Sequence, residues 1–429
     1  MDYEESLDYL FSLAGRGIKL GLSNTSALLG HFGNPHHKVP AIHIAGTNGK
    51  GSTAAFVESI LRAAGFRTGL YTSPHLLDFR ERIQIDRQPI ARDAMVPLIT
   101  RVRQAAEQLE IDVTYFEFST VMAFLYFSEQ EVDWNIIEVG LGGRLDSTNL
   151  CQAKVCIITS LSRDHEDQLG SDLKHIAFEK AAIIKHPTTV VSGVKDKILL
   201  EVIQKQAQKN KAQLVSIERD FQVAVKSCPE DILEFDYASE NSSFEGLKIS
   251  LLGPHQAENA SLAVAACRAL PALASKIPEK IIRSGLASAR WPGRLEVISR
   301  SPVVILDCAH NPAGFRALAQ ALKSHFPKKR CILVLGIMKD KQVSEITGII
   351  PLFADYIIVT RPHQERSADP AIVRDQLAGF SKPVEIVDEV SQAVLAAKRL
   401  SKPEDLICIT GSIFTIAEAK QSLEDKCVS

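Results

Sequence analysis

The chain has 429 residues, and at roughly 100–200 residues per domain this length calls for two to four domains and excludes a single small module. Apolar residues make up 45% and charged residues 23%, a globular composition that excludes wholesale disorder and a fibrous repeat. With 49 Lys and Arg against 51 Asp and Glu the net charge is −2, which leaves no global footprint for nucleic acid or an anionic membrane.

The chain opens Met1-Asp2-Tyr3-Glu4-Glu5, acidic where an export or import signal would be basic, and no apolar run approaches the ~20 residues of a membrane helix. A cytoplasmic protein is expected. Short β-branched runs then alternate with amphipathic stretches, the pattern of a mainly parallel α/β sheet. Strands are expected at Ala41–Ala45, Thr68–Tyr71, Trp134–Val139, Val155–Thr159, Thr189–Ser192 and Gln213–Ser216, with helices near Thr53–Ala64, Arg92–Leu109, Thr120–Gln130, Leu173–Ile184 and Lys197–Lys209. Residues 221–250 break the rhythm with Pro229, Gly246 and short polar turns, and read as an antiparallel elaboration before a helix at Gln256–Leu270. A second alternation follows, with strands at Val303–Asp307, Cys331–Leu335, Tyr356–Thr360, Val384–Val387 and Leu406–Ile409. The expected fold is a P-loop ATPase-type domain over 1–297 and a smaller Rossmann-like α/β domain over 302–429, with Ser299-Arg300-Ser301-Pro302 as the linker. The eight cysteines include no C-x-x-C pair and read as reduced thiols, mostly in the core.

Strand 41–45 runs into Gly46-Thr47-Asn48-Gly49-Lys50-Gly51-Ser52 and then a helix. Glycines turn backbone N–H groups inward, the helix N-terminus adds positive potential and a lysine reaches the terminal phosphates, so this is a nucleoside triphosphate loop. Its spelling departs from G-x-x-x-x-G-K-[ST], because Gly51 follows the lysine and the hydroxyl comes one place later at Ser52. A dinucleotide fingerprint fails at Leu145, where Gly140-Leu141-Gly142-Gly143-Arg144-Leu145 lacks its last glycine. Asp167-Gln168-Leu169-Gly170 spells D-x-x-G, but no N/T-K-x-D motif reads guanine, so adenine is favoured.

After this loop come Ser73-Pro74-His75-Leu76, Glu81-Arg82-Ile83, the run Glu138–Asp146, Asp164-His165, Glu179-Lys180, His255-Gln256 with Asn259, and Asp307-Cys308-Ala309-His310-Asn311-Pro312. In this order and spacing, from about Leu20 to Ile416, they resemble the folylpolyglutamate synthase and dihydrofolate synthase family of the Mur ligase superfamily. The resemblance implies an ATP-dependent amide ligase in which ATP phosphorylates a carboxylate and the amino group of L-glutamate displaces phosphate. The carboxylate belongs to dihydropteroate in one reaction and is the γ-carboxylate of a folate, such as a tetrahydrofolate, in the other.

The resemblance implies roles that the bare residues leave open. Thr47, Asn48, Gly49, Lys50, Gly51 and Ser52 would hold phosphates, with Lys50 catalytic, while Ser73 and Glu138 ligate one Mg2+ and His165 helps with a second. Glu138 ends a strand at the carboxyl edge of the sheet, where α/β sites lie; Ser73 before a proline is also a turn former, and His165 also reads as a loop histidine. Lys180 reads alone as a solvated helix residue, whereas the family carries a carbamylated lysine (N6-carboxylysine) there. Nucleotide contacts carry over to Asn259, to Arg294, otherwise a surface ion pair, and to Asp307. His310 would orient glutamate, assist proton removal from its ammonium, or only start a helix.

The pterin side is suggested by Thr114-Tyr115-Phe116-Glu117 and Leu145-Asp146-Ser147. Tyr115 and Phe116 can stack on a flat heterocycle while Glu117 or Asp146 accepts from ring N–H groups, or both rings are core at a strand or helix start. Departures from the family pattern are Ala182 for a glycine, Ser162-Arg163 before Asp164, and Gln342 in Lys339-Asp340-Lys341-Gln342 for an aspartate. The reading is a monomeric, magnesium-dependent ligase of dihydropteroate and folates. Its rivals are a folylpolyglutamate synthase alone, a cell-wall Mur ligase, which would need a UDP-binding domain before the phosphate loop, and a nucleotide-switch protein without ligase activity.

Overall fold

A computed structural model describes residues 2–327 and 329–424. α1 (Tyr3–Ser12) and α2 (Ser23–His31) precede β1 (Ala41–Ala45), which passes through the glycine-rich turn into α3 (Lys50–Ala63). Next come β2 (Thr68–Tyr71), the short hairpin β3 (Ile83–Ile85) and β4 (Gln88–Pro89), α4 (Arg92–Gln108), α5 (Tyr115–Glu129), β5 (Trp134–Glu138) and β6 (Ala153–Ile158). The series continues through α6 (Glu166–Leu169), α7 (Leu173–Ala181), β7 (Thr189–Ser192), α8 (Lys197–Lys209) and β8 (Gln213–Ser216). These strands form one sheet in the order β4-β3-β2-β5-β1-β6-β7-β8, parallel from β2 to β8, with β3 antiparallel to both of its neighbours. β1 lies between β5 and β6, so the crossovers diverge on either side of it and open a crevice at its carboxyl end.

The antiparallel elaboration is a three-stranded sheet of β9 (Phe221–Ser227), β10 (Leu233–Ser239) and β11 (Ser242–Ile249). α9 (Pro254–Ala269), α10 (Pro271–Ala274) and α11 (Glu279–Ser288) follow, and α9, α11 and this small sheet share with α3 the core on one face of the large sheet. The opposite face is covered by α1, α2, α4, α5, α7 and α8. α5 buries residues around its whole circumference, as a helix wrapped by others must.

The second sheet runs β12 (Glu296–Arg300), β13 (Val303–Leu306), α12 (Pro312–His325), β14 (Cys331–Leu335), α13 (Val343–Ile349), β15 (Tyr356–Arg361), α14 (Pro370–Gln376), β16 (Val384–Glu389), α15 (Val390–Leu400), β17 (Leu406–Thr410) and α16 (Ile413–Glu424). Its strand order is β12-β13-β17-β14-β15-β16, and helices cover both faces.

Two expectations change. The segment read as a linker is a hairpin: β12 pairs antiparallel with β13, because Leu295 and Val297 alternate inward onto the second core. The helix expected from Thr120 starts at Tyr115, since Thr114 and Glu117 form a reciprocal capping box. Seven cysteines fall among the described residues, all unpaired and six of them buried, while Cys427 lies outside them. No helix among the described residues is long and apolar enough to cross a membrane.

His43, in the strand that feeds the phosphate loop, is fully buried and hydrogen-bonds Thr148 Oγ1 through Nε2 at 2.9 Å. Burial, aided by the charge of Lys185, lowers its pKa to about 3. The unfolded chain therefore binds a proton below pH 6.5 that the folded one refuses, and stability falls as pH drops from 6.5 toward 3, by about 1.4 kcal/mol per unit at full slope. In His43→Gln, urea melts across pH 6.5–4.5 are expected to show a pH dependence shallower by about one proton; an unchanged slope would refute this account.

Candidate active site

The carboxyl ends of the two sheets face one cavity of about 190 Å³. Every residue expected to touch nucleotide or metal lines it: Thr47–Ser52 after β1, Ser73 after β2, Glu138 at the end of β5, His165 after β6, Lys180 on α7, Asn259 on α9, and Arg294, Asp307 and His310 from the second unit.

Local bonds hold the glycine-rich loop. Thr47 N–H donates to Ser160 O at 2.7 Å, Asn48 N–H to Ser160 Oγ at 3.1 Å, and Thr159 Oγ1 to Asn48 O at 2.7 Å, so the segment after β6 braces the loop after β1. Gly49 enters α3 at φ 88°, and a Cβ there would lie 2.4 Å from Asn259 Oδ1; both the backbone and the space demand glycine. The first turn of α3 has N–H groups without intrahelical partners and brings positive potential to the same place.

Two ammonium groups meet at one carbonyl. Lys50 Nζ donates to Gly46 O at 3.1 Å and Thr47 O at 3.0 Å, and Lys180 Nζ donates to Gly46 O at 2.9 Å. Lys180 is buried rather than solvated, and burial, then the charge of Lys50, lowers its pKa to about 7. Glu138 is buried, with Oε2 accepting the Ser73 N–H at 3.1 Å; burial raises its pKa against the pull of Lys50.

Among the described residues no three His, Cys, Asp or Glu side chains converge as a cage for a metal ion. Mg2+ rarely uses such a cage. It is commonly held by one or two carboxylates, phosphate oxygens and waters, which a buried Glu138 beside a phosphate loop matches. Burial lowers His165 to about pKa 4, leaving a neutral imidazole available as a donor.

The second unit closes the cavity. Asp307 accepts N–H groups from Leu295 at 3.0 Å and Ala309 at 2.9 Å, which fix the carboxylate and leave each oxygen one further lone pair. Asn311 caps α12 through Gly314 N–H at 2.8 Å. His310 Nδ1 lies 2.8 Å from Cys308 O and Nε2 3.1 Å from Asp164 Oδ2. Both edges of the ring are thus held by neighbouring oxygens. Such a doubly held ring suits the orienting reading of His310.

The pterin candidates lie outside this lining. Glu117 Oε2 accepts the Thr114 N–H at 2.7 Å and hydroxyl at 2.8 Å, so that carboxylate serves the cap of α5. Asp146 is buried, with Oδ2 on Leu141 N–H and Oδ1 on Thr148; Ser147 accepts from Thr25 Oγ1 at 3.0 Å, and Leu145 O accepts from Gly21 N–H. Each carboxylate thus already has local hydrogen-bond partners. Phe116 packs on Gly140, where a Cβ would lie 2.4 Å from the ring, and Gly140, Leu141 and Gly142 line the cavity. Tyr115 stacks near Phe11 and under Arg82, and its buried hydroxyl has no hydrogen-bond partner.

Residue patterns alone passed over Asp164, His255, Gln256 and Cys308 as contributors to the lining. For Asp164 the signal was present in the D-H pair at a strand end, but nothing local announced that its partners lie about 146 to 177 residues away.

Two family models match the chain, the Mur ligase middle domain over residues 44–267 and the Mur ligase glutamate ligase domain over 293–413. A Bacillus subtilis dihydrofolate synthase/folylpolyglutamate synthase is 33% identical, with 98% of this chain and 99% of that protein aligned. Escherichia coli FolC, solved with DHPP and ADP, superposes with a TM-score of 0.91 at 31% identity, covering 100% of this chain and 99% of that one. The bifunctional folylpolyglutamate synthase/dihydrofolate synthase of Yersinia pestis, solved with AMPPNP and a Mn ion, gives 0.87 at 29% identity over 99% and 98%. With its cavity residues in place and its whole length aligned, the chain belongs to the folylpolyglutamate synthase/dihydrofolate synthase family of Mur ligases.

Proposed function

We propose that the protein is an ATP-dependent ligase that adds L-glutamate to dihydropteroate and to the γ-carboxylate of folates. The observation that carries this reading is the single cavity in which the phosphate loop of one sheet meets Arg294, Asp307 and His310 of the other. A nucleotide switch would not need a second unit reaching into its phosphate site; a two-substrate ligase does.

Transfer of the γ-phosphoryl group to a carboxylate oxygen gives an acyl phosphate and ADP. Attack by the glutamate amine on the acyl carbon then forms the amide, releases phosphate and sheds the amine's extra protons. The chain's part is positioning and charge neutralisation. Thr47–Ser52 and the first turn of α3 cradle the β- and γ-phosphates, Lys50 swings from its loop carbonyls to the transferred group, and Arg294 approaches from the opposite wall. Asn259 and Asp307 take the nucleoside. Mg2+, with Glu138, Ser73 and His165 as its protein donors, would neutralise phosphate charge. His310, held at both ring nitrogens, orients the glutamate. The pteridine is assigned to the region of Thr114–Phe116 and Leu145–Ser147 behind Gly140–Gly142, with the Tyr115 hydroxyl as an available donor. The reaction is assigned to a cytoplasmic monomer.

Lys180 is assigned as N6-carboxylysine. Its neutral amine adds CO2 to give a carbamate and one proton, turning a cation crowded by Lys50 into an anion. Only the neutral amine reacts, and with a pKa of about 7 that fraction falls from roughly nine-tenths at pH 8 to one-tenth at pH 6. At fixed dissolved 13CO2, the carbamate 13C signal is expected to fall several-fold over that range and to be absent in Lys180→Ala. A pH-independent signal, or none, would remove the assignment.

The purified protein with ATP and glutamate is expected to add one glutamyl mass to dihydropteroate and, in a second arm, to tetrahydrofolate. Product on tetrahydrofolate alone would reduce the activity to folylpolyglutamate synthesis, and no product on either would sink the reading. Gly49→Ala, strained at φ 88° and blocked by Asn259, is expected to weaken ADP binding at least tenfold by calorimetry while the rest of the chain stays folded.

A further inference from the structure

Asp164 is nearly buried, its side chain 7% exposed, and it sits in the loop after β6, outside the second sheet. Both of its oxygens are engaged by that second unit. Oδ1 accepts Lys341 Nζ at 2.8 Å together with the His165 N–H of its own loop at 2.9 Å, and Oδ2 lies 3.1 Å from His310 Nε2 and accepts Asn311 Nδ2 at 3.0 Å. Asn311 and Asn48 of the phosphate loop exchange reciprocal amide hydrogen bonds, at 3.1 and 3.0 Å. Beside this cluster Gln342 donates to Glu166, so the position where the family pattern has an acid carries an amide that suits its acidic neighbour.

The roles of these partners differ. His310 and Asn311 come from the loop after β13 and face the cavity, with the His310 side chain 32% exposed. Lys341 comes from the loop after β14, is only 10% exposed, and does not line the cavity. A carboxylate with an ammonium on one oxygen has a fixed direction for the other, and here that direction is toward the His310 ring.

We propose that Lys341 is a positioning residue for the ligase reaction, acting through Asp164 to aim the His310 ring and to tie it, by way of Asn311, to the phosphate loop at Asn48. Closing the second unit over the nucleotide and setting the glutamate-facing histidine are then one event. Removing the ammonium leaves Oδ1 with only the His165 N–H, which loosens the carboxylate and with it the aim of the His310 Nε2 edge. Breaking such a buried pair by truncating one partner is expected to be costly even where the intact pair adds little. This inference rests on the ligase reading for its kinetic consequence, but its geometric core can be tested apart from it.

The test uses the full chain with Lys341→Met, Asp164→Asn, the double variant and Lys341→Arg. For Lys341→Met the expected result is a KM for glutamate raised at least tenfold, with the dissociation constant for ADP changed less than threefold. The double variant is expected to be no worse than the more impaired single by more than twofold, and Lys341→Arg to recover most of the lost KM. Hydrogen–deuterium exchange of residues 307–316 is expected to rise several-fold in Lys341→Met, with α3 unchanged. Multiplicative losses in the double variant, an ADP defect as large as the glutamate defect, or unchanged exchange at 307–316 would each overturn the proposal. Should the wild-type chain make no glutamyl product, the functional reading fails, and the exchange experiment with its double variant still decides whether Lys341 acts through Asp164.

Discussion

A carboxylate buried between two sheets is costly unless donors surround it, and Asp164 meets that condition only when both units are in place. Burial works against its ionised form; the hydrogen bond and charge of His310, with His165 and Lys341 adding to them, hold its pKa well below the usual carboxylate range. The anion is thus stable because two loops of the second sheet converge on it. The rest of the cavity inherits this arrangement: Asn311 steadies Asn48, Asn48 belongs to the phosphate loop, and His310 faces the space where the two substrates would meet.

The cavity wall sets Lys50, Lys180 and Arg294 against the carboxylates Glu138, Asp164 and Asp307. Lys50 and Lys180 converge on the carbonyl of Gly46, and Arg294 stands across from them. Crowding two ammonium groups in a buried place is unfavourable, as the lowered pKa of Lys180 records. Near-zero net charge over the whole chain is compatible with this, because what a phosphate would meet is set by the local placement of Lys50, Arg294 and the α3 N-terminus, which a whole-chain sum does not register.

Much of the fold was legible because its signals are local. β2, β7, β8 and β14 have the bounds that their short apolar runs indicated, and the phosphate loop declares itself by strand, glycines, lysine and helix. What escaped were features decided at long range or by competing local chemistry. Thr114 and Glu117 suit a ligand pocket by residue type, yet they are spaced as a capping box and bond each other. Ser299–Pro302 has the composition of a linker, but the alternation of Leu295 and Val297 binds it into a sheet. The roles of Asp164 and Lys341 could not be read at all from their neighbours in sequence, since each is defined by a partner from the other unit.

The hairpin of β12 and β13 has a practical meaning for anyone dissecting the molecule. Gly293 N–H binds Glu296, Cys308 N–H binds the Gly293 carbonyl, Leu295 N–H binds Asp307, and Lys420 reaches Glu296 from α16. The passage between the sheets is therefore stitched into the second unit from Gly293 onward, and the cavity cation Arg294 travels with it. A transplanted or separately expressed second unit cut at 299–302 would lose an edge strand, expose the β13 edge and leave Arg294 behind. The seam for recombination lies at Pro292, between Trp291, which packs on the first core, and Gly293.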